Sequence, residues 1–224
     1  MEEKVNKKGF SKYYKMLVVA LLVISPTSVL ADDAAGLATG NLSTADVCGF
    51  GVGYVGGFAG LGDDATTIFG SITYGFSDYT DGRIKFGFSD RDAPNADPVI
   101  LIGIDFKYEF MDYYDKNGSQ PMDMALGGFF EYVNYEYGAV WEFGGNYIAS
   151  IPYRFASGRK LIPYGRANLR LEQISIDNAD NKSDFRFGMN LGVKYELTTE
   201  MNVYGELQFD GITGLFLGLD VRMF

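Results

Sequence analysis

The chain contains no histidine and only one cysteine, Cys48, among its 224 residues. Without histidine, a Ser-His-Asp or Cys-His catalytic arrangement and a histidine-ligated zinc site are excluded. With one cysteine, an intrachain disulfide and a cysteine metal cluster are excluded as well, so Cys48 is predicted to be a small apolar filler. We therefore expect no catalytic residues, no metal site and no cofactor.

Long hydrophobic runs are also scarce. The run Leu17–Ile24 is far shorter than the roughly 20 residues that a membrane-spanning helix needs. It follows five lysines and precedes the small residue Ala31, the pattern of a secretory signal peptide. We therefore predict a signal peptide over residues 1–31, a flexible segment over 32–45 and one folded domain over 46–224.

Positive charge is in short supply. The chain has 19 Lys and Arg against 29 Asp and Glu, a net charge of −10, and five of the lysines lie in the predicted signal peptide. The exported chain is thus more acidic still. Such a chain is repelled by phosphate backbones, so we expect no nucleic-acid partner.

Glycine and aromatic residues are abundant, with 29 Gly, 18 Phe and 16 Tyr. The glycine share is about twice the usual one. Large apolar residues alternate with charged, amide or glycine residues in Phe185–Glu196, in Ile100–Phe110 and in Trp141–Phe155. A period of two residues is typical of β-strands. The pattern predicts an all-β domain of ten antiparallel strands, at roughly 47–60, 66–76, 83–89, 98–110, 123–133, 138–155, 161–175, 184–197, 201–209 and 213–224.

Alternation alone does not decide which face of the strands meets solvent. A soluble β-sandwich buries its apolar face, whereas a transmembrane barrel turns that face to lipid. The apolar faces are long, and aromatic residues are expected at two levels, as at the two interfaces of a bilayer. One predicted level contains Phe76, Tyr79, Phe110, Tyr113, Tyr114, Tyr153, Phe155 and Tyr195, and the other contains Tyr132, Tyr135, Tyr137 and Trp141.

These features favour a single up-and-down antiparallel transmembrane β-barrel over residues 46–224. Ten strands are predicted, with eight as the alternative because the strand at 83–89 is short. An exported soluble β-sandwich that binds a ligand is a further alternative.

The inward-facing positions of such a barrel carry nearly balanced charges. Balance predicts a structural network of ion pairs that fills the lumen, whereas a selective pore more often shows one sign of charge. The predicted network contains Arg83, Lys85, Asp105, Lys107, Glu109, Glu131, Glu142, Arg154, Arg166, Arg170, Glu172, Arg186, Lys194, Glu196, Glu206, Asp220 and Arg222.

Two further patterns were weighed as chemistry and assigned to structure. The carboxylate pairs Glu131–Glu142 and Glu196–Glu206 lie on adjacent predicted strands, but lumen bases lie near each of them. The acidic stretch Asp177–Asp184 lacks the glycine and the final glutamate of an EF-hand, so turn chemistry explains it better than calcium binding.

Three stretches resemble the small outer-membrane β-barrel family, which includes the OmpA transmembrane domain and OmpX-like proteins. They are Pro163–Ala167, a strand start; Gly188–Thr198, an alternating strand with a tight turn; and Gly214–Phe224, an alternating strand that ends in phenylalanine. The resemblance implies that Met223 and Phe224 form the assembly signal. By alternation Met223 lies on the lipid face and Phe224 is out of register, unless a bulge lies near the chain end.

The resemblance implies an outer-membrane location, contact with outer-membrane lipids and handling by the barrel-assembly machinery. A structural or surface role with a largely filled lumen is the function we expect. A narrow porin-like channel for small solutes is the alternative.

Overall fold

The computed structural model describes residues 43–62, 65–91, 98–113, 122–135, 138–176, 181–210 and 212–224. The predicted signal peptide and most of the segment 32–45 lie outside these residues. The strands are β1 (Gly53–Gly62), β2 (Ala65–Ser77), β3 (Thr80–Arg91), β4 (Val99–Met111), β5 (Asp123–Tyr135), β6 (Gly138–Ser150), β7 (Tyr153–Arg154), β8 (Lys160–Ile176), β9 (Lys182–Glu196), β10 (Met201–Asp210) and β11 (Ile212–Arg222).

Ten of these strands form a closed antiparallel ring. Each long strand pairs with the next along the chain, β6 pairs with β8, and β1 pairs with β11 to close the ring. The two-residue β7 continues β6 along the same edge of β8 after a short interruption. The ten-stranded up-and-down barrel is thus confirmed, and the eight-stranded alternative is wrong.

The strands are tilted against the barrel axis. A path of directly paired residues that leaves β8 at Ile162 passes around the ring through Phe58 and Leu101. It returns to β8 at Ile174 instead of Ile162. This stagger is the shear that a barrel needs in order to close. No helix in the described part of the chain is long and apolar enough to cross a bilayer.

The apolar face of the strands lies outside. Ile102, Phe143 and Phe187 are 44%, 45% and 51% exposed, whereas Lys107 is buried inside the ring and Arg186 is mostly buried there. A sandwich would show the opposite distribution, so the soluble β-sandwich alternative is wrong.

The two ends of the barrel differ. We call the end that holds residues 43–52 and 223–224 the base, and the opposite end the top. The tight turn between β2 and β3 and the turn at Leu197–Glu200 lie at the base. Exposed aromatic residues of β2, β4, β6, β7 and β9 surround the base, and several touch one another: Tyr74 with Phe76, Phe110 with Tyr147, and Phe155 with both Tyr153 and Tyr195.

At the top, the predicted aromatic level is described in part. Tyr132 and Trp141 are directly paired neighbours on β5 and β6, and Trp141 stacks on Phe143. The side chains of Tyr135 and Tyr137, and of Tyr114 from the other predicted level, are not among those that the structure describes.

Three strand boundaries differ from the prediction. β1 begins at Gly53 instead of 47, because residues 43–48 pack inside the barrel and the exposed Phe50 lies in a turn before the strand. β3 has twelve residues and is not short. The predicted strand 138–155 is interrupted after Ser150: Ile151 N–H donates to the carbonyl of Pro163 on β8, but Pro163 has no N–H to return the bond.

The C-terminus contains the bulge that the register of Phe224 suggested. Gly53 accepts a hydrogen bond from the N–H of Met223 and donates one to the carbonyl of Phe224, so one residue faces two. The ring of Phe224 thereby lies against Gly53 and near Tyr74 on the outer face.

Inward-facing glycines make room for large side chains inside the barrel. A β-carbon added at Gly218 or Gly56 would strike the ring of Phe58, and one at Gly192 would strike Tyr164. The glycines at 53 and 57, by contrast, face outward, where the prediction had most glycines facing inward. Glycine in these strands therefore serves the packing of the lumen.

This packing gives a test with a matched control. A β-carbon at Gly87 would lie 2.4 Å from the carbonyl oxygen of Ile68, whereas one at Gly57 would meet nothing within 4 Å. We expect Gly87→Ala to lower the free energy of unfolding by about 1–3 kcal/mol. Gly57→Ala is expected to change it by less than about 0.5 kcal/mol. Urea unfolding in detergent, followed by Trp141 fluorescence, measures both; equal effects would contradict the packing argument.

Candidate functional site in the lumen

The lumen holds most of the charged side chains predicted for it. Twelve ionisable side chains are buried in the described residues, and ten of them belong to the predicted network: Arg83, Lys85, Lys107, Glu109, Glu131, Glu142, Arg166, Arg170, Glu172 and Glu206. Asp81 and Asp123 are the two that the prediction missed. Both lie at strand ends near the base: Asp81 follows the turn between β2 and β3, and Asp123 is the first residue of β5.

One group of ion pairs connects β3, β4 and β5. Arg83 Nε donates to Asp105 Oδ2 at 2.8 Å, and Lys85 Nζ lies 3.2 Å from Asp105 Oδ1. Lys85 also pairs with Glu131, two strands away. It reaches that carboxylate because the residue between them, Gly103, has no side chain, and a β-carbon there would lie 2.8 Å from Lys85 Cε.

A second group lies on β6, β8 and β9. Arg170 Nε is 3.1 Å from Glu142 Oε2, and Arg170 Nη2 is 3.6 Å from Glu172. Arg186 Nε is 3.4 Å from the same Glu172 oxygen. Glu142 is directly paired with Glu131 on one side and with Glu172 on the other, so three carboxylates lie side by side on neighbouring strands. Lys85 of the first group and Arg170 of the second neutralise their charges.

Two further carboxylates are held by neutral donors. Tyr164 Oη and Asn190 Nδ2 each donate to Glu206 at 2.7 Å. Asp220 accepts from Tyr204 Oη at 2.6 Å and from Asn202 at 2.7 Å. Hydroxyl and amide groups thus donate hydrogen bonds to both of these carboxylates.

An apolar group crosses the lumen beside these charges, and sequence reasoning missed it. Phe58 stacks on Phe69 with ring centroids 4.9 Å apart, and Tyr204 lies at 6.1 Å from Phe58. The buried members of this plug are Phe58, Phe69, Val99, Leu101, Val133, Tyr204 and Phe216. The available signal was that Phe58 and Phe216 share the face of their strands with glycines.

The chain before β1 enters the lumen at the base. Thr44 and Ala45 are buried, and Ala45 packs with Ala125 and Ile148. Lys107 Nζ donates to the carbonyls of Thr44 and Asp46, at 2.8 Å each. These residues, the docked segment 43–48, include the last three of the stretch expected to be flexible.

Carboxylates at the base also hold the docked segment. The N–H of Val47 donates to Glu109, and the N–H of Cys48 donates to Asp81. Glu109, Asp112 and Asp123 bring one oxygen each within 4.8 Å of one another. Asp123 accepts from Tyr113 N–H and Ser150 Oγ, so this cluster fixes the segment and the adjoining turn.

A cavity of about 350 Å³ lies between the docked segment and the plug. Its charged lining residues are Arg83, Lys107, Arg154, Lys160, Arg166 and Lys194, with Asp46, Asp81, Asp105, Glu196 and Asp220. It also reaches Gly158 and Thr199, exposed residues of the base turns. The cavity is therefore open at the base.

Four predicted network residues lie at the base instead of deep in the lumen. Arg154 and Arg222 are exposed, Arg154 because the strand breaks at Pro152 and continues as β7. Lys194 and Glu196 are half-buried, and Glu196 pairs with Lys160 at 3.5 Å. The acidic residues Asp177–Asp180 lie outside the described part of the chain.

No protein-family model matches the chain, and no curated protein matches it. Among solved structures, the β domain of the Bordetella autotransporter BrkA is 9% identical with a TM-score of 0.50, over 78% of this chain and 100% of that one. The N-terminal β-barrel domain of Pseudomonas aeruginosa OprF is 16% identical (TM-score 0.40; 78% and 99% covered). Acinetobacter baumannii outer membrane protein Omp33 is 8% identical (TM-score 0.35; 77% and 98% covered).

The likeness to the BrkA β domain shows the fold of this chain. It is a closed antiparallel β-barrel.

The first group of ion pairs gives a double-mutant test. Lys85→Met leaves Glu131 buried without its base, and we expect a loss of about 3–5 kcal/mol in the free energy of unfolding. Lys85→Met combined with Glu131→Leu removes both charges and is expected to recover most of that loss. Urea unfolding in detergent measures the cycle; additive losses would show that the pair is not coupled.

Cys48 gives a test of the docked segment. Burial and the neighbouring Asp81 carboxylate raise the pKa of the Cys48 thiol to about 12. Iodoacetamide reacts with the thiolate, so at pH 8 we expect alkylation slower than that of an ordinary thiol by on the order of a thousandfold. The rate should still rise above pH 10. The urea-unfolded protein is the control, and equal rates in both states would contradict docking.

Proposed function

We propose that this protein is an integral outer-membrane β-barrel with a structural or surface role and a lumen largely filled by its own side chains. The observation that supports it best is the plug of Phe58, Phe69 and Phe216 together with the ion pairs beside it. These groups occupy the space that a conducting path would need.

The polarity of the barrel supports the membrane location. Exposed aliphatic and phenylalanine side chains cover the outer face of every ring strand, and aromatic residues surround the base. Such a surface is solvated by acyl chains, and aromatic girdles sit at the interface. We therefore propose that the outer face of the barrel contacts outer-membrane lipids.

We assign the base to the periplasmic side. Residues 43–52 and 223–224 both lie there, and the resemblance to small outer-membrane barrels implies that the final strand carries its assembly signal at the periplasmic end. Met223 and Phe224 are each 62% exposed there. We assign them to contact with the barrel-assembly machinery during insertion.

The proposal includes no catalysis. Glu131 and Glu142 are directly paired neighbours, but Lys85 holds one and Arg170 holds the other. A carboxylate fixed in an ion pair is a poor general acid.

Cell fractionation tests the location. The protein expressed with its leader should sediment with the outer membrane, resist extraction by urea, and run faster on a gel when unboiled than when boiled. Recovery in the soluble periplasmic fraction, without a heat-dependent shift, would overturn the proposal.

The cavity at the base is the one feature that favours the alternative, a narrow channel for small solutes. Planar-bilayer recordings separate the two functions. We expect no discrete conductance steps from the native protein, because the plug closes the cavity toward the top. Replacing Phe58, Phe69 and Phe216 together by Ala should produce steps, whereas replacing the outward-facing Phe86 by Ala should not. Steps from the native protein would support the channel.

A further inference from the structure

The lumen contains one buried guanidinium that its neighbours leave unused. Arg166 is 3% exposed, yet in the described part of the chain it has no hydrogen bond and no ion pair within 4 Å. Its Nε and Nη2 atoms are buried without an acceptor. An unsatisfied buried charge is costly, so such a group indicates either strain or a missing ligand.

The surroundings of Arg166 hold it ready for a ligand. Its Cζ lies 5.6 Å from the ring centroid of Phe129, a cation–π contact. The nearby carboxylates of Asp105 and Glu206 already have their own donors, Arg83 for the first and Tyr164 for the second. The N–H edge of Arg166 is therefore unused.

Arg166 lies in the wall of the base cavity, and so does a second unpaired base. Among the described residues, Lys194 also has neither a hydrogen bond nor an ion pair within 4 Å. The cavity wall carries six basic and five acidic side chains, whereas the whole chain has a net charge of −10. The wall of this cavity is thus much less acidic than the chain as a whole, and two of its bases have no acidic partner within 4 Å among the described residues.

We infer that this cavity is a binding site for a small anion with a carboxylate or phosphate group, which enters from the base and accepts hydrogen bonds from Arg166. Carboxylate and phosphate oxygens match the two parallel N–H donors of a guanidinium. Lys194 supplies a second positive charge nearer the mouth. About 350 Å³ is the size of a small-solute site.

The site goes beyond the proposed structural role and does not require conduction. The plug closes the cavity toward the top, so the anion binds and leaves by the same opening. A barrel without channel activity could still carry the site, and conductance and binding are measured separately.

Ligand-dependent stability tests the inference. The purified barrel in detergent is titrated with succinate and, separately, with inorganic phosphate, with ionic strength held constant by sodium chloride. The readout is the temperature at which the fast-migrating folded band is lost from unboiled gels. We expect a saturable rise for the native protein with at least one probe, because a ligand that binds the folded state stabilises it.

Variants locate the site. Arg166→Gln should weaken the apparent affinity at least tenfold, and Lys194→Gln about threefold. Arg222→Gln, which removes an exposed base from the same end but outside the cavity wall, should leave it unchanged. If Arg166→Gln does not fold, the comparison of the apparent affinities of Lys194→Gln and Arg222→Gln still tests the site.

Three results would overturn the inference. They are no saturable response to either probe, an equal response in all variants, which marks a general salt effect, and undiminished binding in folded Arg166→Gln. Response to one probe alone supports the site and identifies the group that it prefers.

Discussion

Closure of the hydrogen-bonded ring is the constraint on which the rest of this molecule depends. In hydrocarbon no water is present to satisfy a backbone N–H or C=O, so a spanning sheet must have no open edge. Pairing of β1 with β11 and of β6 with β8 removes both edges. Once the ring is closed, every strand has one face toward lipid and one toward the lumen. The alternation of large apolar with polar or glycine residues follows from that geometry.

The lumen shows how a narrow barrel is filled. Large inward side chains, such as Phe58, Tyr164 and Lys85, each extend across a position occupied by glycine on a neighbouring strand. The many glycines therefore leave space for the buried rings and long basic side chains. Together, the glycines and these large side chains allow the lumen to pack at the density of a protein interior. The charges are arranged in local groups, since a buried charge without a nearby opposite charge would destabilise the fold by several kcal/mol.

The sequence was sufficient to predict features that every strand repeats, such as its alternating faces. It was insufficient for features that occur once, such as the docked segment and the aromatic plug. Period-two alternation predicted the ten strands and the inward position of residues such as Lys85 and Glu131, because every strand repeats the same rule. It could not predict that residues 43–48 fold into the base, since their contacts with Lys107 and Glu109 join positions about sixty residues apart. The aromatic plug was missed because apolar residues on the polar face break the alternation.

The contact between β1 and β11 also constrains the order of events in folding. It joins the first strand to the last, the greatest separation along the chain that the barrel contains, and such contacts form slowly because a long loop must close first. Until Gly214–Arg222 has been synthesised, β1 has no partner on one side. The incomplete sheet then has an open edge beside its apolar face, and such an edge favours aggregation until the ring closes.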